Sequence, residues 1–462
     1  MTLTYDYTAL LKGGPQGDVG LDPAWLEQAA VAHGTHLGGL KAKREARTHG
    51  FFDVPDDRRT LELCTEFAAE TAGRISTLVV LGIGGSALGT RALHAALSPA
   101  LHDLDPVNGT PRLLVIDNVD PALVADVMRV VDLDSTLFNV ISKSGSTAET
   151  MSQFLLFLQA LKAQVGDGWT EKVVVTTDAE KGFLRPFADE HGLATFAVPD
   201  NVGGRFSVLT PVGLLPACLM GWDAAALLDG AARGRDASLR DDFSANPAAL
   251  MAATGHLFDT RLDHGTQVLF PYSHRLRLLG DWNVQLVAES LGKRQADGNR
   301  VGPLPHTAIG ATDQHSQVQL FVDGPQDKVF TFVRVEEQAD DVVIPAPPAG
   351  LDGLEYLGGK TFGQLLDAEC IATRLALTDA GRPNATLTFP RVDAAHVGEF
   401  LMWNMCATAY GGELYGIDAF DQPGVENGKV ATYGLMGRPG FEEQGERVRA
   451  AQATDAARQV TG

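Results

Sequence analysis

The sequence predicts an α/β protein built on doubly wound parallel sheets, and three observations predict it. Five short apolar runs recur through the first half, at 78–81, 113–116, 137–141, 173–177 and 194–198. Amphipathic stretches lie between the first four, and strands alternating with helices need crossover connections, hence parallel strands with helices on both faces. Glycine is over-represented, with 50 of 462 residues against roughly 7% in average proteins. It collects where the apolar runs end, which is where backbone must approach a ligand.

Taken in order, 61–222 reads as one doubly wound domain. Within it Asp120 and then Pro121 open a helix, an N-cap followed by a residue pre-set for the first turn. The second half, 223–440, repeats the theme, with strands at 268–270, 329–333 and 386–389 and helices at 275–292, 362–379 and 393–408. A Pro/Gly-rich segment at 344–359 is a surface excursion. Residues 1–60 form an N-terminal extension expected to pack on the second domain, and 441–462 form a helical tail. The length suits two or three domains at roughly 100–200 residues each.

Composition narrows function. With 37 Lys plus Arg against 58 Asp plus Glu, the formal charge is −21. Such a surface repels phosphate backbones and anionic membranes, so neither nucleic acid nor membrane is an expected partner. The most apolar stretch, around 214–222, is broken by Pro216 and is too short to span a bilayer. Cys64, Cys218, Cys370 and Cys406 are scattered, without a CxxC pair, which fits a reduced, cytoplasmic protein. No HxH, HExxH or Cys/His cluster occurs, so no metal site is expected.

The chemistry gathers at six places. Gly82, Gly84, Gly85 and Ser86 form a turn between a strand and a helix. With Ala87 it meets the loose GxGxxA form of a dinucleotide fingerprint, and Asp117 ends a later strand. Either a dinucleotide or another anion suits such a helix N-terminus. The second place is Ser142, Lys143, Ser144, Ser146 and Thr147, again between a strand and a helix. Four hydroxyls, one ammonium and successive backbone N–H groups suit a phosphomonoester. Ser146 and Glu149 also have capping-box spacing, but a cap requires neither Ser142, Lys143 nor Ser144. Third, Gly203 and Gly204 precede Arg205, whose guanidinium can stabilise an oxyanion. Fourth, Asp281, Gln285, Glu289 and Lys293 share one stripe of a helix; alone, such a stripe is usually a solvated face. The fifth and sixth are 312–316, with His315, and 421–429, with Gln422 and Lys429, neither persuasive by itself.

In this order the motifs resemble the phosphoglucose isomerase family over about 78–430. The stretches DNVGGRFSVLTPVG at 200–213 and GIDAFDQPGVENGK at 416–429 carry the resemblance almost position for position. Two departures are Ser144-Gly145-Ser146, where many members have Thr-Phe-Thr, and Pro423 in place of the usual Trp; both look like the shorter bacterial branch. The resemblance implies two sugar-isomerase (SIS) domains, a homodimer, a small sugar phosphate as substrate and no cofactor.

It also implies roles. Gly84, Gly85, Ser86, Ser142, Lys143, Ser144 and Thr147 would hold the phosphate, with Gln285 contacting it from the helix. Glu289 would be the base that moves a proton between C1 and C2, and Arg205 would steady the enediolate. His315 would open the ring with Lys429, oriented by Glu149 and supplied across the dimer interface. Gln422 would touch substrate. An NAD-dependent dehydrogenase would leave the 142–147 loop and both long stretches unexplained. A non-catalytic SIS sensor would not need Glu289, His315 and Lys429, all of which are present. An isomerase acting also on mannose 6-phosphate is the remaining alternative.

Overall fold

In a computed structural model of the chain, the described residues are 1–455 except residue 16. Their strands are β1 (Thr4–Asp6), β2 (Thr77–Leu81), β3 (Arg112–Ile116), β4 (Thr136–Ser142), β5 (Val173–Thr177) and β6 (Ala194–Ala197). There follow β7 (Thr266–Pro271), β8 (Lys293–Arg294), β9 (Arg300–Val301), β10 (Leu304–Thr307), β11 (Lys328–Glu337) and β12 (Asn384–Arg391).

The first sheet has the order β3-β2-β4-β5-β6 and is parallel throughout. Its five strands lie within two residues of the apolar runs that predicted them. Each strand feeds both faces by alternation. Val79, Leu81, Phe138, Val140, Val173 and Val175 face one core with the outer helices, while Leu78, Val80, Leu137, Ile141 and Val174 face another. Asp120 caps the helix Pro121–Val130 by accepting from the Ala122 and Leu123 amides.

The second sheet, β1-β12-β11-β7-β10, is parallel except for β1, which runs antiparallel along β12 at the edge. The N-terminal residues thus join the second sheet. Leu269, Val333, Leu387 and Phe389 face the same core as the inner residues of the first sheet, with the helices Pro211–Leu219, Ala224–Ser238 and Ala394–Tyr415 also contributing. One continuous core therefore ties the two sheets together.

The strands β1, β8, β9 and β10 had no signal in the sequence. β1 and β10 are short edge strands, and β8 and β9 form a two-stranded ribbon. The helix expected over 393–408 continues to Tyr415, where Gly416 in the left-handed region ends it. The tail forms a helix over Glu442–Asp455; the rest of the expected tail, 456–462, lies outside the described residues.

In each sheet the strand order reverses at the first parallel strand in the chain. In the first, β2 is flanked by β3 on one side and β4 on the other. Ligands of open α/β sheets bind outside the carboxyl ends of strands at such a switch point. Here those ends are the 82–86 turn and the 142–147 loop, side by side because β2 and β4 are hydrogen-bonded neighbours.

Candidate active site

The 82–86 turn owes its shape to glycine. Gly84 has φ +57°, in the left-handed region that favours glycine. A Cβ on Gly85 would lie 2.3 Å from the carbonyl carbon and oxygen of Gly204 and 2.7 Å from the Arg205 nitrogen. Two glycine turns, 119 residues apart in the sequence, thus touch backbone to backbone beside Arg205. Ser86 lies at the end of this turn, half-buried, before the helix Leu88–Leu97.

In the second loop the capping-box reading fails. The helix Ala148–Val165 has Thr147 as its N-cap, and no side chain caps it. The Thr147 hydroxyl instead lies 3.0 Å from that of Ser142 and 3.3 Å from that of Ser144. The loop hydroxyls group together, leaving the first helical N–H groups without a side-chain cap among the described residues, an arrangement that suits an anion. Lys143 turns away from this group. Its Nζ donates to the carbonyls of Asp200 at 2.8 Å and Val202 at 2.7 Å, and burial lowers its pKa from the ordinary lysine value. It ties the loop to the stretch that leads into Arg205.

Arg205 is the hub. Its side chain is 2% exposed, and the guanidinium is held from several sides. Nε donates to Ser290 Oγ at 2.6 Å, and Nη1 to Gln422 Oε1 at 3.0 Å. Nη2 donates to the Ala419 and Asp421 carbonyls at 2.6 and 3.0 Å. Burial lowers its pKa, opposed by Glu289, Asp421 and Asp418; an arginine stays charged nonetheless. Nη1 lies 3.7 Å from Glu289 Oε1. On the other carboxylate oxygen, Gln285 Nε2 donates to Glu289 Oε2 at 3.1 Å, and Gln285 Nε2 would itself lie 3.0 Å from a Cβ on Gly84. The Gln285 Oε1 atom is buried without a partner.

The helix stripe resolves differently from a solvated face. The helix Arg277–Leu291 ends before Lys293, whose side chain is only 7% exposed. Asp281, Gln285 and Glu289 line an open cleft together with Leu88 and His306.

The structure thus brings Gly84, Gly85, Arg205, Gln285, Glu289 and Gln422 into one site, with Ser142, Ser144 and Thr147 on the adjoining strand end. Glu149 sits in the first turn of the helix behind the 142–147 loop, whereas His315 and Lys429 are on exposed surface of the single chain. His315 is exposed on the turn Thr312–His315 after β10. Lys429 is 48% exposed and pairs with Glu426 at 2.9 Å. Among the described residues, no hydrogen bond or ion pair joins His315 to Glu149, Glu289 or Lys429.

Sequence reasoning missed several supports. Ser290 follows the carboxylate directly, yet a serine at a helix end carries no signal of its own; Lys293 showed only as the last member of a helix stripe, not as a support beneath that helix end. An N-terminal segment was also unforeseen. Gly50 N donates to the Asn201 carbonyl at 3.0 Å, and the Phe51 ring packs 5.0 Å from Phe206, which stacks 4.7 Å from Phe420. These rings join the two long motif stretches through a third piece of chain. The dinucleotide reading loses ground, because Asp117 is engaged in an ion pair with Arg91. His33, buried, bonds to the Tyr410 hydroxyl at 2.9 Å and the Arg240 carbonyl at 3.0 Å, a packing role.

Comparison with known proteins bears on the family and the fold. The family model described as phosphoglucose isomerase matches residues 60–345. A glucose-6-phosphate isomerase of Rubrobacter xylanophilus is 46% identical over 441 residues, 95% of this chain and 99% of that one. One from Thermus thermophilus is 43% identical over 386 residues, 83% of this chain and 89% of that one. Among solved structures, a hypothetical protein of Thermus thermophilus is similar with TM-score 0.85 and 39% identity, covering 94% of this chain and 100% of that one. A glucose-6-phosphate isomerase of Chlamydia trachomatis gives TM-score 0.74 at 26% identity, covering 86% and 77%.

Proposed function

We propose that this chain, which belongs to the phosphoglucose isomerase family, interconverts glucose 6-phosphate and fructose 6-phosphate by proton transfer through an enediol. The observation that carries the reading is the Glu289 carboxylate, held between the Gln285 amide at 3.1 Å and the Arg205 guanidinium at 3.7 Å, beside a glycine turn.

Aldose–ketose isomerisation removes a proton α to a carbonyl and returns it to the neighbouring carbon. That needs one carboxylate base and a cation for the developing enediolate. Glu289 takes the proton from C2 of the open-chain aldose and delivers it to C1, while the O2 hydroxyl proton passes to O1 so that the carbonyl moves from C1 to C2; Arg205, rigidly held, faces the oxygens that gain charge. The phosphate rests on the Ser86 turn and on the Ser142, Ser144 and Thr147 hydroxyls with the helix amides behind them. Lys143 acts there by anchoring the loop and by its charge. A phosphate dianion only accepts hydrogen bonds, so Gln285 meets it through Nε2 and loosens its hold on Glu289 in doing so.

His315 and Lys429 open the sugar ring, with Glu149 orienting the histidine. The exposure of His315 supports its reaching the site of a second copy, in a homodimer. Both sheets and the N-terminal strand then act as one scaffold, with 61–222 supplying the phosphate loops and 223–440 the base. The substrate is a soluble sugar phosphate, in keeping with a cytoplasmic protein; no helix among the described residues is long and apolar enough to cross a membrane.

The test is to supply the purified protein with fructose 6-phosphate and read glucose 6-phosphate through a coupled dehydrogenase. Turnover is expected and should persist in EDTA. A folded protein that binds sugar phosphate without converting it would be a sensor instead.

A further inference from the structure

The last turn of the helix that carries Glu289 poses a problem of hydrogen-bond accounting. The final four carbonyls of any helix lack intrahelical donors and need others. Here the Ala288 carbonyl accepts from Gly292 N at 3.1 Å. The next two, of Glu289 itself and of Ser290, both accept from one group, the Lys293 ammonium, at 2.8 and 2.9 Å. The same ammonium lies 3.3 Å from Asp421 Oδ1. A cation at a helix C-terminus is favourable, but a lysine that is 7% exposed is not there for solubility.

Asp421 matters because of its neighbours. Its carbonyl accepts from Arg205 Nη2, and the next residue, Gln422, accepts from Arg205 Nη1. Ser290, whose carbonyl Lys293 holds, accepts from Arg205 Nε. Lys293 and Arg205 therefore grip the same two segments, the end of the base helix and the 416–429 loop, from two sides. Burial and the nearby Arg205 charge both lower the Lys293 pKa, while Asp421 and Asp418 counter them.

We infer that Lys293 is a positioning residue for the isomerisation, fixing the last helical turn so that the Glu289 carboxylate keeps its place beside Arg205. This rests on the proposed role of Glu289 as the base. Lys293 touches no reacting atom; it acts through the Glu289 main chain and through Asp421. A base displaced by about 1 Å can lose on the order of 10²-fold in rate.

The experiment compares wild type, Lys293→Met, Asp421→Asn and the double variant. It measures kcat, KM and, in deuterium oxide, the ratio of isomerisation to isotope incorporation at C2. Lys293→Met should lower kcat by about 10²-fold with KM little changed, and should shift the isotope ratio, because a loosened base exchanges its proton with solvent more often before returning it. Asp421→Asn should move both readings the same way by less. The double variant should be no worse than Lys293→Met alone, since the two groups act as a unit.

A purely structural lysine would lower the amount of folded enzyme and leave the isotope ratio at the wild-type value; that result overturns the inference, as does an unchanged kcat. Should Lys293→Met fail to fold, Asp421→Asn carries the same test, because the Asp421 side chain is 52% exposed; wild-type kcat and ratio in that variant overturn the inference. A wild-type protein without turnover refutes the proposed function itself, whereas a normal wild type beside an unimpaired Lys293→Met refutes only the positioning role.

Discussion

Arg205 and Ser290 are joined by a 2.6 Å hydrogen bond from Nε to Oγ across 85 residues of sequence, and both are buried. Ser290 is the residue after the proposed base. Through this bond the guanidinium is placed by the same helix turn as the carboxylate it works with, so cation and base keep a common frame.

That frame predicts what replacing the cation does. A lysine at position 205 has one nitrogen where the guanidinium now reaches Ser290, Gln422, Ala419 and Asp421. Arg205→Lys should lose on the order of 10²–10³-fold in kcat, the scale of one oxyanion-stabilising donor. Steady-state kinetics with a melting curve checks this; activity close to wild type would show that any positive charge suffices.

Glu289 is the carboxylate assigned to the carbon acid. Glu289→Gln should still bind fructose 6-phosphate while losing about 10²–10⁴-fold in turnover and losing proton exchange at C2. Proton NMR in deuterium oxide reads the exchange directly. Retained exchange would assign the base elsewhere.

His315 is exposed in a single chain and, among the described residues, shares no hydrogen bond or ion pair with Glu289. If two copies share their sites, mixing inactive Glu289→Gln and His315→Ala proteins should restore activity through hybrid dimers carrying one intact site. Subunit exchange is verified with a tag on one variant. No recovery after verified exchange would argue for a site completed within one chain.

The contact between the two glycine turns leaves no room for a methyl group. Gly85→Ala puts a Cβ 2.3 Å from the Gly204 carbonyl, so the phosphate turn and the Arg205 turn have to separate. The expected loss in kcat/KM is about 10²-fold, the scale of a misplaced catalytic group. A fully active Gly85→Ala protein would mean that the turns do not need this approach.

Away from the site, Glu399 is 1% exposed and its Oε2 lacks a hydrogen bond, with Arg233 3.7 Å away. Burial raises its pKa above the ordinary carboxylate value, and Arg233 only partly offsets this. The folded state therefore keeps this proton to a higher pH than the unfolded chain does. Stability declines as pH rises from the ordinary glutamate range up through the raised value, and the cost persists above it. Glu399→Gln should be more stable than wild type above that window and equal to it below. Urea midpoints across pH decide; a pH-independent difference would point to packing rather than ionisation.

Local features were legible in the sequence. The strands of the first sheet were marked by apolar runs whose alternate residues feed two cores. The helix at Asp120-Pro121 announced its own cap, and the glycine turn showed by its spacing between a strand and a helix, where the structure gives Gly84 a positive φ. The edge strand β10, Leu304–Thr307, gave no such sign. It contains a proline and a histidine, and what makes it a strand is its pairing with β7. The edge strand β1 likewise owes its place to β12.

The candidate site divides in the same way. The residue types, including the glycines, the hydroxyls of the 142–147 loop, Arg205 and Glu289, stand in the chain as a recognisable order, so sequence alone determined the fold class and the chemistry to expect. Tertiary structure alone decided the use of each group. Lys143 faces two carbonyls and not the loop hydroxyls, Thr147 leaves its helix uncapped by any side chain, and Lys293 is buried under the base. The reason is that these choices depend on partners far away in sequence, such as Gln422 at 217 residues from Arg205. Only the shared core between the two sheets, which no local pattern encodes, brings such partners within hydrogen-bonding distance.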